Sequence, residues 1–204
     1  FLDASQFYDF RKEFDKSFSE NLYENNVLIS SEFLFSFKVD EIESLKKFFD
    51  EKGFKDYKIL VYLRKPSAYY LSLVQQKLKA AHGIPSPLSF NAGYEKCLSN
   101  WSAIFEGCLC VRKFERENLL GGSLLDDFSS EVNEFFGTNI LLRGKPCNES
   151  VSAEGMMVLQ DFRRYFFFDE EDKFNKASDS LLRKINEIEV FKPGTKPILK
   201  ESYR

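Results

Sequence analysis

The run Ile59-Leu60-Val61-Tyr62-Leu63 is almost continuously apolar and stops abruptly at Arg64-Lys65-Pro66. A strand with one wet face alternates apolar and polar residues. A continuous apolar run needs cover on both faces, which is the habit of parallel strands flanked by helices. Pro66 has no N–H to lose and a φ suited to a first helical position. Tyr70, Leu73, Val74, Leu78 and Ala81 then follow at helical spacing as far as His82-Gly83. A buried strand handing over directly to a helix places the chain in the α/β class.

The remaining pattern extends that alternation. Residues 5–17 read as an amphipathic helix with Phe7, Phe10 and Phe14 on one stripe, closed by turn chemistry at Asn25-Asn26. Val27-Leu28-Ile29 reads as a short buried strand whose end emerges at Ser30-Ser31-Glu32. Asp40 and Glu43 resemble a capping box opening a helix with Ile42, Leu45, Phe48 and Phe49, and Gly53 stands where a C′ glycine belongs. Residues 91–105 form a helical stripe through Tyr94, Leu98, Trp101 and Phe105, with Trp101 expected in the core. Cys108 to Phe114 reads as a third strand, and Gly121-Gly122-Ser123 leads into a helix with Leu124, Phe128, Val132 and Phe135 that closes at Gly137. Helices are expected over 152–167 and 176–189, joined by the acidic connector Asp169–Asp172. Three strands make a thin parallel sheet, so a further strand is expected upstream. The start at Phe1 and the end at Tyr203-Arg204 fit a single domain over 1–204 that lacks that strand and its extreme C-terminus.

Composition removes several function classes. The chain has 204 residues with 29 Lys+Arg against 32 Asp+Glu, a net charge of −3, which gives no electrostatic reason for nucleic-acid binding. No apolar run approaches the ~20 residues of a membrane-spanning helix. A single histidine excludes metal sites built on two or three imidazoles, and no metal is expected. Cys97, Cys108, Cys110 and Cys147 form no Cys-x-x-Cys pair and read as reduced thiols of a cytoplasmic protein.

In open α/β sheets, ligands bind beyond the carboxyl ends of the strands. Arg64 sits at such an end and feeds into a helix N-terminus, where the dipole favours an anion. Ser72 lies about 9 Å further along that helix, with a side chain leaning back toward its start. A guanidinium and a hydroxyl so placed make a phosphate clamp; equally, they make a surface Arg and a solvated Ser.

The segment Ile59-Leu-Val-Tyr-Leu-Arg64-Lys-Pro-Ser-Ala-Tyr-Tyr-Leu-Ser72 resembles the 3′-phosphate-binding motif of sulfotransferases that use 3′-phosphoadenosine 5′-phosphosulfate (PAPS). In that family a hydrophobic strand ends in Arg, often followed by Asn-Pro, with a Ser eight positions after the Arg. The resemblance assigns 3′-phosphate binding to Arg64 and Ser72, with Lys65 replacing the common Asn. Val27–Glu32, Trp101–Phe105 running through Val111–Arg116 to Gly121–Phe128, and Asn148-Glu-Ser150 are similar to bacterial, glycan-type sulfotransferase-like proteins.

The resemblance implies a three-layer, P-loop-like parallel sheet flanked by helices, with a helical C-terminal part. It also implies PAPS as co-substrate and a hydroxyl acceptor on a carbohydrate. The family grips the 5′-phosphosulfate with a Lys-x-Gly-Thr-Thr loop that this sequence does not contain, and Gly121-Gly122-Ser123 is no substitute. That loop is expected upstream. The family's base is a His or Glu near a strand end, which points to Glu32, with His82 in its Gly/Pro loop as the rival. A helix-N-terminal Glu is the plain alternative for Glu32. Arg112, Lys113 and Arg116 read either as contacts to a phosphate or anionic glycan or, more plainly, as a solvated strand end, and Arg143 with Lys145, flanking Gly144, as a closure over the nucleotide or an ordinary loop. Two other functions fit the same pattern: a sulfotransferase-fold protein without catalysis that binds glycan, and a P-loop kinase of small molecules.

Overall fold

The computed structural model describes residues 26–144, 151–188 and 194–200. The helix expected over 5–17, Lys145, Cys147 and Asn148-Glu-Ser150 lie outside the described residues. The elements are α1 (Val39–Glu51), β1 (Ile59–Leu63), α2 (Pro66–Leu78), α3 (Tyr94–Ile104), β2 (Leu109–Lys113), α4 (Leu124–Phe136), α5 (Ala153–Phe166) and α6 (Lys176–Glu187). The chain is α/β but mostly helical, and β1 and β2 form a two-stranded parallel sheet. Ile59 N–H donates to the Cys108 carbonyl at 2.9 Å, and Phe114 N–H donates to the Leu63 carbonyl at 2.8 Å.

The strand expected at Val27–Ile29 is absent. Leu28 is 53% exposed, and Ser31 instead caps a 3-10 helix over Glu32–Ser36, its hydroxyl accepting from Phe33 N–H at 3.2 Å. Three apolar residues make few ladder bonds, and the local Ser cap offers the backbone another partner. Elsewhere the elements fall close to their expected bounds. Pro66 opens α2, and Gly53 with φ +89° follows α1 in a conformation that suits glycine. The cap of α1 sits two residues earlier than expected, with Glu41 closing back onto the Lys38 N–H at 2.7 Å.

The chain divides into two compact units. The first takes the chain up to Val61, Tyr94–Cys110 and Ser130–Ile140. Its core is Ile42, Cys97, Trp101 and Phe105, where α1 packs on α3. Trp101 is buried as expected, and its indole N–H donates to the Leu34 carbonyl at 3.2 Å. Burial pushes the Cys97 thiol pKa up, which makes it a core group and not a nucleophile. Lys58 pairs with Glu131 at 2.8 Å, and the Cys110 thiol donates to the same carboxylate at 3.7 Å.

The second unit takes Tyr62–Gly93, Val111–Ser129 and the chain from Leu141 onward. Its core is Tyr70, Val74, Leu78, Val151, Leu159 and Ile185, built where α2 packs on α5 and α5 on α6. Each such fully buried side chain contributes roughly 1.5–3 kcal/mol. Arg163 is fully buried among them, and its guanidinium donates to the Ala80 and Glu170 carbonyls and, at 3.5 Å, to the Ser178 hydroxyl. One planar group therefore joins the end of α2, the α5–α6 connector and α6.

Gly155, in the first turn of α5, lies against Ile185 of α6. A Cβ there would lie 2.8 Å from both Val151 Cγ1 and Ile185 Cγ2, methyls of two buried, β-branched side chains with little rotamer freedom. Gly155→Ala gains about 1 kcal/mol of helix propensity but overpacks the contact by about 1–3 kcal/mol. The variant is expected to be net destabilised. A urea midpoint equal to or above that of the wild type would show that the contact yields.

Candidate functional site

The carboxyl ends of β1 and β2 carry the chemistry of the second unit. Arg64 follows β1 directly, and its Nη1 donates to the Ser72 hydroxyl on α2 at 2.9 Å. The guanidinium also lies over the Phe114 ring, 4.8 Å from its centroid, one residue beyond β2. The ring restrains the plane of the cation, and the hydroxyl restrains its reach. Arg64 remains exposed. Ser72 accepts from Arg64 through oxygen and keeps its own proton for donation. The first turn of α2 closes on the Lys65 carbonyl, which accepts from Ala68 and Tyr69 N–H at 2.9 Å each. Those bonds occupy two first-turn N–H groups, so the helix contributes chiefly the positive end of its dipole. A cation, a hydroxyl donor and a helix N-terminus on one side are suited to a phosphate.

Beside this pair stands an ionic network that local pattern reading misses. Asp127, in the first turn of α4, is only 1% exposed. Its carboxylate accepts from the Tyr62 hydroxyl at 2.8 Å, from Leu120 N–H at 2.9 Å, and from Arg112 through Nε at 3.1 Å and through Nη2. Burial alone pushes its pKa up. The Leu120 N–H, the Arg112 guanidinium and the Tyr62 hydroxyl outweigh that, and the carboxyl titrates below its ordinary range. Arg112 is therefore the counter-ion of a buried carboxylate, not part of a solvated strand end. The signal lies in register: parallel pairing sets Tyr62 of β1 beside Arg112 of β2, but no spacing within either strand shows this.

The other expected residues are placed as follows. Glu32 is not at a strand end; it is exposed in the first turn of the Glu32–Ser36 helix, in the first unit, where a carboxylate complements the helix start. Arg64 and Ser72 belong to the second unit. His82 is not an open loop residue. Its ring stacks on Phe168 with centroids 4.9 Å apart, Nδ1 meets the Glu171 carboxylate, and its carbonyl accepts from Gln160 at 2.9 Å. Lys113, Arg116 and Arg143 are exposed. Arg116 packs along Gly122, where an added Cβ would lie 3.2 Å from its side chain.

No protein-family model, curated protein or solved structure matches this chain.

Removing the Asp127 carboxylate leaves the Arg112 cation and two other donors without their acceptor. Asp127→Ala is expected to cost about 3 kcal/mol or more, and Tyr62→Phe about 1 kcal/mol. Because the folded-state pKa is depressed, the carboxylate's contribution is present above the unfolded pKa of about 3.9. It is lost as pH falls through the lower folded value. Urea midpoints taken below about pH 4 should converge between wild type and Asp127→Asn; curves that stay parallel would remove the ionic role.

Proposed function

We propose that this chain is the nucleotide-binding body of a PAPS-dependent sulfotransferase, acting on a hydroxyl of a carbohydrate acceptor. The observation that carries the reading is the 2.9 Å bond between Arg64 and Ser72. Two residues separated by a strand-to-helix turn converge on one point, as a clamp for a nucleotide 3′-phosphate requires, while a solvated Arg and Ser have no need to meet. The Phe114 ring beneath the guanidinium supports the same role by limiting its motion.

In sulfuryl transfer the acceptor oxygen forms a bond to sulfur while the bond from sulfur to the 5′-phosphate oxygen breaks. The nucleotide leaves as the 3′,5′-bisphosphate, and the acceptor proton passes to a base. On this reading Arg64 and Ser72 take no part in bond making. They bind the 3′-phosphate and fix where the phosphosulfate end of the nucleotide points, an orienting role. The base role expected of Glu32 rests on a strand end that the structure lacks, so the proposal stands on Arg64 and Ser72.

Adenosine 3′,5′-bisphosphate at 100-fold over its dissociation constant is expected to stabilise the protein by about 2.7 kcal/mol, with ADP giving less. Differential scanning fluorimetry reads this directly. Arg64→Ala should abolish the shift while leaving the ligand-free Tm within a few degrees, because the side chain is exposed. Equal shifts with ADP would point to the kinase reading, and no shift with either would overturn nucleotide binding.

A further inference from the structure

The Arg64 guanidinium is restrained both along its edge and across its plane. Nη1 donates to the Ser72 hydroxyl at 2.9 Å, which fixes one end of the fork. The Phe114 ring, with its centroid 4.8 Å from Cζ, fixes the tilt of the plane. The ring is itself anchored. Phe114 is half-buried, and its N–H donates at 2.8 Å to the carbonyl of Leu63, the residue before Arg64. Ring and guanidinium therefore ride on neighbouring positions of one ladder. Two residues back, on the same face of each strand, Tyr62 and Arg112 both bond Asp127.

An exposed arginine ordinarily keeps several rotatable bonds until something orders it. Such a side chain follows its anion, so a phosphate displaced by one ribose carbon is met as well as one in place. A guanidinium held by edge and face cannot follow without leaving the hydroxyl or the ring. Its planar fork then reads where the phosphate is, and not only its charge. Specificity is a difference between two affinities. Pre-organisation favours the isomer that matches the fork and gives the displaced one nothing.

We infer that Phe114 makes this site selective for a 3′-phosphate over a 2′-phosphate on the same ribose. The inference rests on the nucleotide reading above and adds to it the side chain that chooses the isomer. Phe114 acts through Arg64 and is a positioning residue. Its π face is what matters, because an aliphatic side chain in its place offers the cation no surface to stack on.

Isothermal titration of the full chain with adenosine 3′,5′-bisphosphate and adenosine 2′,5′-bisphosphate tests this. Wild type should bind the 3′ isomer at least about tenfold more tightly. Phe114→Leu should weaken the 3′ isomer by roughly two- to fivefold and leave the 2′ isomer unchanged, so the ratio narrows by that factor. Phe114→Tyr keeps the ring and should keep the wild-type ratio. Arg64→Lys keeps the charge but has no plane to stack, and should bring the two isomers close to equal affinity. Because Arg64 is exposed, that variant keeps the test decisive if Phe114→Leu fails to fold. No binding of either isomer by wild type would overturn the nucleotide reading and this inference with it. Three results would overturn the inference alone: equal binding of both isomers by wild type, an equal loss for both in Phe114→Leu, or an unchanged ratio in folded Phe114→Leu or in Arg64→Lys.

Discussion

One buried carboxylate holds the sheet end of the second unit in place. Asp127 reaches β1 through Tyr62, β2 through Arg112 and the turn before its own helix through Leu120 N–H. Two paired strands are marginal by themselves, and here neither strand gains a further neighbour among the described residues. A charged acceptor reached from both strands and from a turn supplies the missing constraint. Arg64 and Phe114 follow Tyr62 and Arg112 by two residues each, so the position of the Arg64–Ser72 pair follows from that of Asp127.

The same network separates the two arginines by role. Arg112 donates to Asp127 through two nitrogens and is half-buried, so its charge is answered inside the protein. Arg64 is exposed, and it donates to a neutral hydroxyl and lies over a ring face. The Arg112 charge is thus held inward, while Arg64 stands at the surface, the first residue beyond β1.

Helices and their ends were largely legible because their determinants are local. The Pro66 start, the Gly53 and Gly137 stops, and the stripes through Tyr70 and Trp101 are set by residues within a turn or two of one another. The strand at 27–29 was misread because the apolar run outweighed the Ser31 cap beside it. Among the described residues the sheet has two strands, and its full extent was not legible because strand number depends on partners distant in sequence. Arg64 and Ser72 were legible as a pair through helical spacing. The Asp127 network was not, because an acid in the first turn of a helix already has a sufficient explanation in the dipole. Only the pairing of β1 with β2 shows that it is buried between Tyr62 and Arg112.

The buried Arg163 has a consequence for anything that meets the hairpin end. Its guanidinium holds the α5–α6 connector to the end of α2 through carbonyls on both, and Lys173 N–H adds a bond to the same Ala80 carbonyl at 3.1 Å. The connector thus loses its conformational freedom when the chain folds, not when a partner arrives. A group that met this connector would find its backbone already ordered and would meet no further ordering cost there.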